Sequence, residues 1–325
     1  MSLDARILEA LRSMDGVKEE QMAQKLGIST ALFCERVEGL RALGYDIQSI
    51  PHLGYQLVRE SGNLHADDLI GRLGKTQVIG RDIRVFRETT STNDIIEKFA
   101  RDGVKEGIVV FAEKQTRGRG RLGRSWISPA KKGLWFSVLL RPNFRPEQTT
   151  QITVASAVAI RRAIEKQTGL RAQIKWPNDV LISGKKVAGI LTELRAEMDR
   201  IEYVILGIGV NVDIDASEFS EELRSTATSI QAEAGKEISR SALAASILGE
   251  LDNQYKRICC GQFSKVAAEW EDYCATIGEY VLIENGSRKI SGRAEALTEE
   301  GALLLRTEHG HIERVTGGTI TVVKP

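Results

Sequence analysis

The 325-residue chain has little of several residue types on which whole classes of protein depend. It contains four cysteines and four histidines, and no two cysteines have the Cys-x-x-Cys spacing of zinc sites. No metal ligands are therefore predicted from these residues. The formal net charge is +1, so no overall field attracts the chain to nucleic acid or to an anionic membrane. Any surface that binds nucleic acid must be local.

Long apolar runs are also missing from the sequence. No run approaches the roughly 18 residues of a membrane-spanning helix, and the N-terminus lacks the charged-then-apolar pattern of a signal peptide. We therefore expect a cytoplasmic protein whose thiols stay reduced and pack as small apolar groups. The 42% of apolar residues excludes a disordered chain, and the length predicts two or three domains.

The N-terminal residues have the pattern of a helix-turn-helix module with a hairpin. Three helical patterns follow one another, and Gly27 is placed where a left-handed cap ends the second. Ser29 is placed to cap the third helix, and two strand-like runs flank Pro51–Gly54. These patterns predict a winged helix-turn-helix over residues 1–60, and the polar stretch Arg59–Asp67 is predicted to be a linker.

The remainder of the chain predicts two further domains. Between residues 68 and 272, strand-like runs outnumber helical ones, which favours a mixed or antiparallel sheet over a Rossmann fold. Residues 275–325 contain five short strand-like runs separated by glycine turns, a pattern typical of a small SH3-like barrel. The predicted fold class is therefore α+β multidomain, with a winged helix-turn-helix, a central mixed sheet and a C-terminal SH3-like barrel.

Residues 117–124 contain four arginines and three glycines. Glycine lets backbone N–H groups approach a ligand, and arginine supplies forked donors for phosphate or carboxylate. The segment lacks the ending of a Walker loop and the spacing of a dinucleotide-binding fingerprint. It lies between apolar runs and is followed at once by Trp126. An ordered anion-binding loop is therefore favoured over a solvated or RNA-binding basic tract.

Three other segments place polar residues or glycines where a ligand could meet them. A hairpin is predicted from Lys175–Asp179 and the run that begins at Lys186, and it would present the carboxylate of Asp179 and the ammonium of Lys186 together. Taken alone, this hairpin is more simply interpreted as a polar tip with a surface ion pair. Ser91–Asn93 is by itself a helix N-cap signal. The glycines within Gly207–Asn211 indicate close approach of another group to a strand.

Taken together, these segments resemble the bacterial biotin protein ligases of the type that also represses the biotin operon. The family's loop G-R-G-R-x-G-R is similar to Gly118–Arg124, and its K-W-P-N-D corner to Lys175–Asp179. Its K-[VL]-A-G-I-L strand is similar to Lys186–Leu191. Its S-T-N and G-x-G-x-N motifs correspond to Ser91–Asn93 and Gly207–Asn211. The resemblance spans the whole chain, and five motifs in the family's order outweigh the separate interpretations.

The resemblance implies a biotin–[acetyl-CoA-carboxylase] ligase that forms biotinyl-5′-AMP and transfers biotin to a lysine of biotin carboxyl carrier protein. The central domain would be of the biotin/lipoate-ligase type, with ATP and Mg²⁺ as cofactors and biotin as substrate. Lys186 and Arg121 would neutralise charge, and Asp179 would assist the acceptor amine. The residues implied to bind biotin or the adenylate are Ser91, Thr92, Asn93, Gln115, Gly118, Arg119, Gly120, Arg121, Arg124, Trp126, Asn178, Lys186, Gly189, Gly209 and Asn211.

The same resemblance implies a homodimeric repressor that binds operator DNA. The candidates on the third helix are Ser29, Thr30, Arg36 and Arg41, but residues 1–60 contain seven Lys and Arg against nine Asp and Glu. Phosphate contacts usually supply most DNA affinity, so this support is weak. A ligase with a degenerate DNA-binding module is one alternative. A lipoate or octanoate ligase is another, although the arginine loop and the hairpin motif favour biotin.

Overall fold

The computed structural model describes residues 2–14, 16–198 and 200–323. Its N-terminal module contains helices α1 (Leu3–Ser13), α2 (Glu19–Leu26) and α3 (Thr30–Ala42), and a hairpin of β1 (Asp46–Ile50) and β2 (Gly54–Arg59). Ser29 caps α3 by accepting a hydrogen bond from the backbone of Leu32, and Gly27 ends α2 in the left-handed conformation. The prediction of an N-terminal helical region with a hairpin is confirmed.

The central region is built on a seven-stranded mixed sheet, as predicted. Its strands are β3 (Asp82–Phe86), β4 (Ile108–Ala112), β5 (Gly133–Leu140), β6 (Gln173–Lys175), β7 (Asp179–Ile182), β8 (Lys185–Glu197) and β9 (Arg200–Asn211). Its helices are α4 (Ala66–Leu73), α5 (Thr92–Arg101), α6 (Thr150–Thr168), α7 (Glu221–Arg224), α8 (Ile230–Ala234), α9 (Arg240–Cys259) and α10 (Phe263–Asp272). The strand order is β3-β4-β5-β9-β8-β7-β6. Among the described residues of this sheet, only the pair β3 and β4 is parallel.

Alternation along the strands divides the apolar residues between two faces of this sheet. In β4, Val109 and Phe111 join the main core with α6 and α9, whereas Ile108 and Val110 join a smaller core beneath α5. The strand is therefore buried on both faces and has an almost wholly apolar sequence. Within the described residues, no helix combines the length and the apolar character needed to span a membrane.

The C-terminal region is a five-stranded antiparallel sheet, in agreement with the five predicted strands. Its strands are β10 (Tyr280–Asn285), β11 (Arg288–Leu297), β12 (Leu303–Arg306), β13 (Ile312–Val315) and β14 (Thr319–Val322), in the order β13-β12-β11-β10-β14. Val281, Leu303 and Leu305 are fully buried and belong to the same core as the central sheet. The C-terminal sheet is thus packed onto the central region and shares its apolar core.

The N-terminal module has its own core but is joined to α4 by a buried ion cluster. Asp68 is 2% exposed and lies 2.8 Å from Arg12 and 2.9 Å from Arg72, and it accepts a hydrogen bond from Tyr45. Burial opposes the charge of Glu60, but hydrogen bonds and charges from Arg12 and Arg72 outweigh burial and lower its pKa. Both carboxylates therefore hold the module against the central region.

Candidate active site

The central sheet and the segments around it enclose a cavity of about 320 Å³. This volume is within the range of small-molecule sites. Of the residues implied to act or to bind biotin and adenylate, all except Gly118 line the cavity. Gly118 instead shapes the loop, because a Cβ there would lie 2.3 Å from the carbonyl oxygen of Trp126. Five separate motifs of the sequence therefore meet at one place.

One end of the cavity is formed by a buried network of hydroxyl and amide groups. Thr92, in the first turn of α5, donates from its backbone nitrogen to Gln115 Oε1 at 2.8 Å. Its Oγ1 lies 2.6 Å from Ser137 Oγ, and Ser137 donates in turn to Asn93 Oδ1. Ser91 precedes the helix, and its hydroxyl makes no capping bond although the residue is buried. This end offers fixed donors and acceptors away from water.

Ser137 was not predicted to contribute to the site, although it is fully buried beneath it. It is the one polar residue of β5, whose other members are apolar or glycine. A buried hydroxyl needs hydrogen-bond partners, and the first turn of α5 provides them. A lone serine inside an otherwise apolar strand is the sequence signal that could have identified it.

The arginine–glycine segment (residues 117–124) is folded back on itself at the mouth of the cavity. Gly120 N donates to Arg124 O at 2.7 Å, and Trp126 N donates to Gly118 O at 2.8 Å. Leu122 has a φ of 55° and is followed by Gly123 at 74°, so the turn requires two left-handed residues in succession. This folded backbone points the side chains of Arg119, Arg121 and Arg124 in different directions, so each has a different partner.

The partners of Arg119, Arg121 and Arg124 differ in charge. Arg119 bonds to the carboxylates of Asp94 and Glu193. Burial opposes its charge, but the bond to Asp94 and the two carboxylate charges outweigh burial and raise its pKa. Glu193 is itself held by the amide of Asn93 at 2.6 Å. This gives Asn93 a structural connection to the arginine segment.

Arg121 and Arg124 have neutral partners. Arg121 donates to the amide oxygen of Asn178 at 3.1 Å, and Arg124 donates to the hydroxyl of Thr319 at 3.0 Å. Burial lowers the pKa of Arg121, and the nearby charge of Arg124 lowers it further, against the opposing effect of Asp179. An anion in the cavity would offset the unfavourable burial of this positive charge.

Lys186 and Asp179 form an ion pair on the cavity wall. Their Nζ and Oδ1 atoms are 2.6 Å apart, in a contact that lacks the direction of a good hydrogen bond. Strands β7 and β8 pair with an irregularity between Val180 and Leu181, which places Leu181 opposite Lys186 and Asp179 opposite Gly189. The hairpin therefore brings an ammonium and a carboxylate to one point, as its sequence predicted.

Trp126 lines the cavity and packs on two glycines that face each other across β8 and β9. A Cβ at Gly189 would lie 2.8 Å from the indole, and one at Gly209 would lie 2.4 Å from it. Lys186 Nζ lies 5.2 Å from the ring centroid, a cation–π distance. Asn211, further along β9, donates from its amide to the carbonyl of Thr228 at 3.1 Å. The glycines are thus required by the indole itself.

Two parts of the wall were absent from the predicted set. One follows β9 and presents apolar side chains, and the other is the start of β14 with the glycines before it. A Cβ at Gly317 would lie 2.8 Å from Arg121, so the C-terminal sheet contacts the arginine segment closely. Both parts lie outside the five motifs, which is why no motif indicated them. The lining residues concerned are Phe219, Leu223, Ala227, Gly318, Thr319 and Ile320.

The DNA-binding candidates are placed differently from the cavity residues. Arg36 donates two hydrogen bonds to Asp4, and these raise its pKa. Arg41 donates to Glu38 and to the carbonyl of Ile47. The hydroxyl of Ser29 caps α3, and Thr30 is exposed. The two arginines of α3 are thus engaged within the module. Across the described ranges, no three His, Cys, Asp or Glu side chains group as metal ligands.

Comparisons with known proteins agree with one another. Residues 85–211 match the biotin/lipoate A/B protein ligase family, and residues 276–323 match the biotin protein ligase C-terminal domain. The chain is 36% identical over 295 residues to the bifunctional ligase/repressor BirA of Bacillus subtilis, covering 90% of each protein. It is 31% identical over 229 residues to the biotin–[acetyl-CoA-carboxylase] ligase of Paracoccus denitrificans, covering 70% of this chain and 95% of the relative.

A solved structure supports the same assignment. The fold is similar to that of the biotin protein ligase from Aquifex aeolicus in complex with biotin and ATP, with a TM-score of 0.65 and 31% sequence identity. The match covers 75% of this chain and 100% of that chain.

Proposed function

This chain belongs to the biotin protein ligase family and is a biotin–[acetyl-CoA-carboxylase] ligase, and we propose how its cavity performs the two half-reactions. The observation that supports the proposal is the convergence of the ion pair Lys186–Asp179 with Arg119, Arg121 and Arg124 around one cavity. The hydroxyl and amide network at this cavity fits the ureido ring of biotin. That ring has fixed donors and acceptors, so buried partners discriminate against substrates that lack them.

In the first half-reaction the biotin carboxylate attacks the α-phosphorus of ATP. A carbon–oxygen–phosphorus link forms, the bond from the α-phosphorus to the bridging oxygen breaks, and pyrophosphate leaves with the bonding electrons. Two anions must approach each other, which requires fixed positive charge in a site with little water. Lys186 and Arg121 supply this charge, and Arg119 leaves its carboxylate partners to join them. The guanidinium of Arg121 is available because its present partner is neutral.

In the second half-reaction an acceptor lysine amine attacks the acyl carbon of biotinyl-5′-AMP. The acyl carbon–oxygen bond breaks, AMP leaves, and the amine must lose a proton to become the neutral amide of biotinyl-lysine. Asp179 is 23% exposed at its side chain and lies beside the reacting end of the cavity. We assign it the orientation of the incoming amine and the acceptance of its proton. The acceptor is a biotin carboxyl carrier protein, and the reaction takes place in the cytoplasm.

Mg²⁺ is expected to arrive with ATP rather than at a preformed protein site. Among the described residues that line the cavity, Asp179 is the only acidic one, and it is paired with Lys186. Mg²⁺ usually needs several oxygen ligands, and nucleotide phosphates and water supply them. The side chains present therefore do not form a resident magnesium site, and no step of the proposal depends on the ion.

The test of the ligase mechanism is incorporation of biotin into a biotin carboxyl carrier domain. We expect one biotin per carrier domain by mass spectrometry, only when ATP is present. Thermal shift with biotin and with lipoate, each with and without ATP, provides the specificity control, because a tight ligand raises the melting temperature by mass action. Incorporation of lipoate instead of biotin would contradict the assignment of the polar network to the ureido ring.

We also propose that the N-terminal module binds operator DNA as part of a homodimer. The support is the helical region with its hairpin, and the similarity over 90% of the chain to a relative named a bifunctional ligase/repressor. Thr30 is exposed at the start of α3, and we propose that it contacts the DNA directly. A gel shift on the promoter of the chain's own biotin operon, with biotin and ATP present, tests this. Equal affinity for unrelated DNA at every salt concentration would contradict it.

A further inference from the structure

We propose that Glu113 and Arg240 are positioning residues for Gln115, and that through them the linker after the N-terminal module sets the biotin-binding end of the cavity. The inference rests on the proposed role of Gln115 in binding biotin. Neither residue lines the cavity, and neither belongs to one of the five motifs. Their effect on the reaction is therefore indirect.

Glu113 connects the end of β4 to the linker. Its Oε1 accepts a hydrogen bond from Leu64 N at 2.6 Å and another from Arg240 Nη2 at 3.1 Å. Its Oε2 lies 2.8 Å from the same nitrogen, as an ion-pair contact without hydrogen-bond direction. The side chains of Glu113 and Arg240 are 9% and 10% exposed. A buried charge pair of this kind is sensitive to loss of either partner.

Arg240, the first residue of α9, joins three segments that are far apart in the chain. Beyond its bond to Glu113, it donates to Gly62 O at 2.7 Å and to Gly133 O at 3.0 Å. Gly62 lies in the linker, and Gly133 begins β5. One planar guanidinium thus fixes the linker, the end of β4 and the start of β5 relative to one another. Lysine, a point charge, cannot make these divergent bonds.

Gln115 follows Glu113 by two residues and is held on its other side by Thr92 and Ser128. Its backbone nitrogen donates to Ser128 O at 3.2 Å, and its Nε2 donates to Ser128 Oγ at 2.9 Å. Backbone bonds also hold Glu113, which donates to Phe86 O at 2.9 Å. Only Lys114 separates Glu113 from Gln115 along the chain. We therefore expect a shift of Glu113 to displace Gln115.

The linker is held at its other end by the N-terminal module. Glu60 bonds to Arg12 of α1 at 2.8 Å, and Ser61 donates to the carbonyl of Leu43 at 2.8 Å. Leu64 is 4% exposed and packs in the main core. A continuous set of bonds therefore runs from α1 through the linker to the biotin-binding end of the cavity. These bonds transmit a displacement only if the residues are energetically coupled, and a double-mutant cycle measures that coupling.

The first experiment separates positioning from stability. Glu113→Gln keeps the shape and the acceptor for Leu64 but removes the charge facing Arg240. We expect the KM for biotin to rise about tenfold, with kcat and the KM for ATP within about twofold of wild type, because misplacement of a binding group weakens that contact alone. The matched control is Glu269→Gln, a carboxylate held by two arginines on α6, remote from the cavity and the linker. It should lower the melting temperature similarly and leave the KM for biotin unchanged.

A rise in KM that is equal in both variants, or no rise in either, would overturn the inference. Should Glu113→Gln fail to fold, Arg240→Lys provides the same measurement, because it keeps the charge and loses the divergent bonds. Wild-type protein must incorporate biotin in every assay. Failure of the wild type would count against the proposed function, whereas a normal wild type with an unchanged Glu113→Gln counts against the inference alone.

A double-mutant cycle tests the route from the module. Arg12→Ala breaks the bonds to Glu60 and Asp68, and we expect it to raise the KM for biotin in the wild-type background. In the Glu113→Gln background it should add little, because both changes act on the same connection. Effects that multiply in full would show that the module does not act through Glu113.

Discussion

The arginines of α3 and those of the arginine–glycine segment contrast in what they contact. In α3, Arg36 is bonded to a carboxylate of its own module, and this partner raises its pKa. In the segment at the cavity, Arg121 is hydrogen-bonded to a neutral amide, and burial lowers its pKa despite the nearby charge of Asp179. The same residue type is electrostatically satisfied in one region and unsatisfied in the other.

This difference teaches that anion binding follows from the partners of arginines rather than from their number. A guanidinium with a carboxylate partner must break a charge-assisted bond before it binds phosphate, whereas one held by an amide or a hydroxyl exchanges a weaker bond. Arg119 is the intermediate case, because it lies at the cavity but bonds to Asp94 and Glu193. Three changes test the contrast, from the largest expected effect to the smallest.

Removal of the lysine at the cavity should have the largest effect. We expect Lys186→Ala to slow biotinyl-adenylate formation by about 10² to 10³-fold, because it deletes a positive group where two anions meet. Pyrophosphate release measures this step. The control is Lys185→Ala, which removes an exposed neighbour that does not line the cavity. Equal rates for the two variants, both folded, would remove Lys186 from the mechanism.

Removal of the unsatisfied arginine should have an intermediate effect. We expect Arg121→Gly to release biotinyl-5′-AMP about tenfold faster, because one charged hydrogen bond to the adenylate is lost. Biotin appearing on unrelated lysines in solution is the measurement. Arg117→Gly is the matched control, since Arg117 is exposed and does not line the cavity. If the two variants label bystander proteins equally, Arg121 does not retain the adenylate.

Removal of the carboxylate that pairs with Arg36 should have the smallest effect. It would make Arg36 more similar to Arg121, because neither arginine would then have a hydrogen-bonded carboxylate partner. Asp4→Asn removes the charged partner of Arg36, so we expect DNA affinity to rise by a few-fold. The plot of log K against log salt should steepen by about one unit, as for one added phosphate contact. Gel shifts over a range of salt provide both quantities. Glu9→Gln removes an exposed charge from the same helix without freeing an arginine, and an identical response would refute the interpretation.

Local signals predicted much of the fold, and the reason is visible in particular residues. Gly27 marks the end of α2 and Ser29 the start of α3, because helix capping depends on neighbours within a few positions. The sequence signals for the apolar strand β4 and for the glycine turns of the C-terminal sheet also lie within a few residues. The motifs also indicated residues that line the cavity, since each motif combines a backbone requirement with a chemical group. Ser137, Glu113 and Arg240 were missed because the hydrogen-bond partners of their side chains are between 44 and 178 positions away.

By itself, the sequence determined the elements, the family and the chemical groups available, because short-range periodicity, capping and motif spacing are written within a few residues of each other. Only the tertiary structure decided which arginines are free. Arg36 and Arg121 look alike in the sequence, but one folds against Asp4 and the other against Asn178. A charge is neutralised by what packs beside it in space, and that depends on contacts between distant segments.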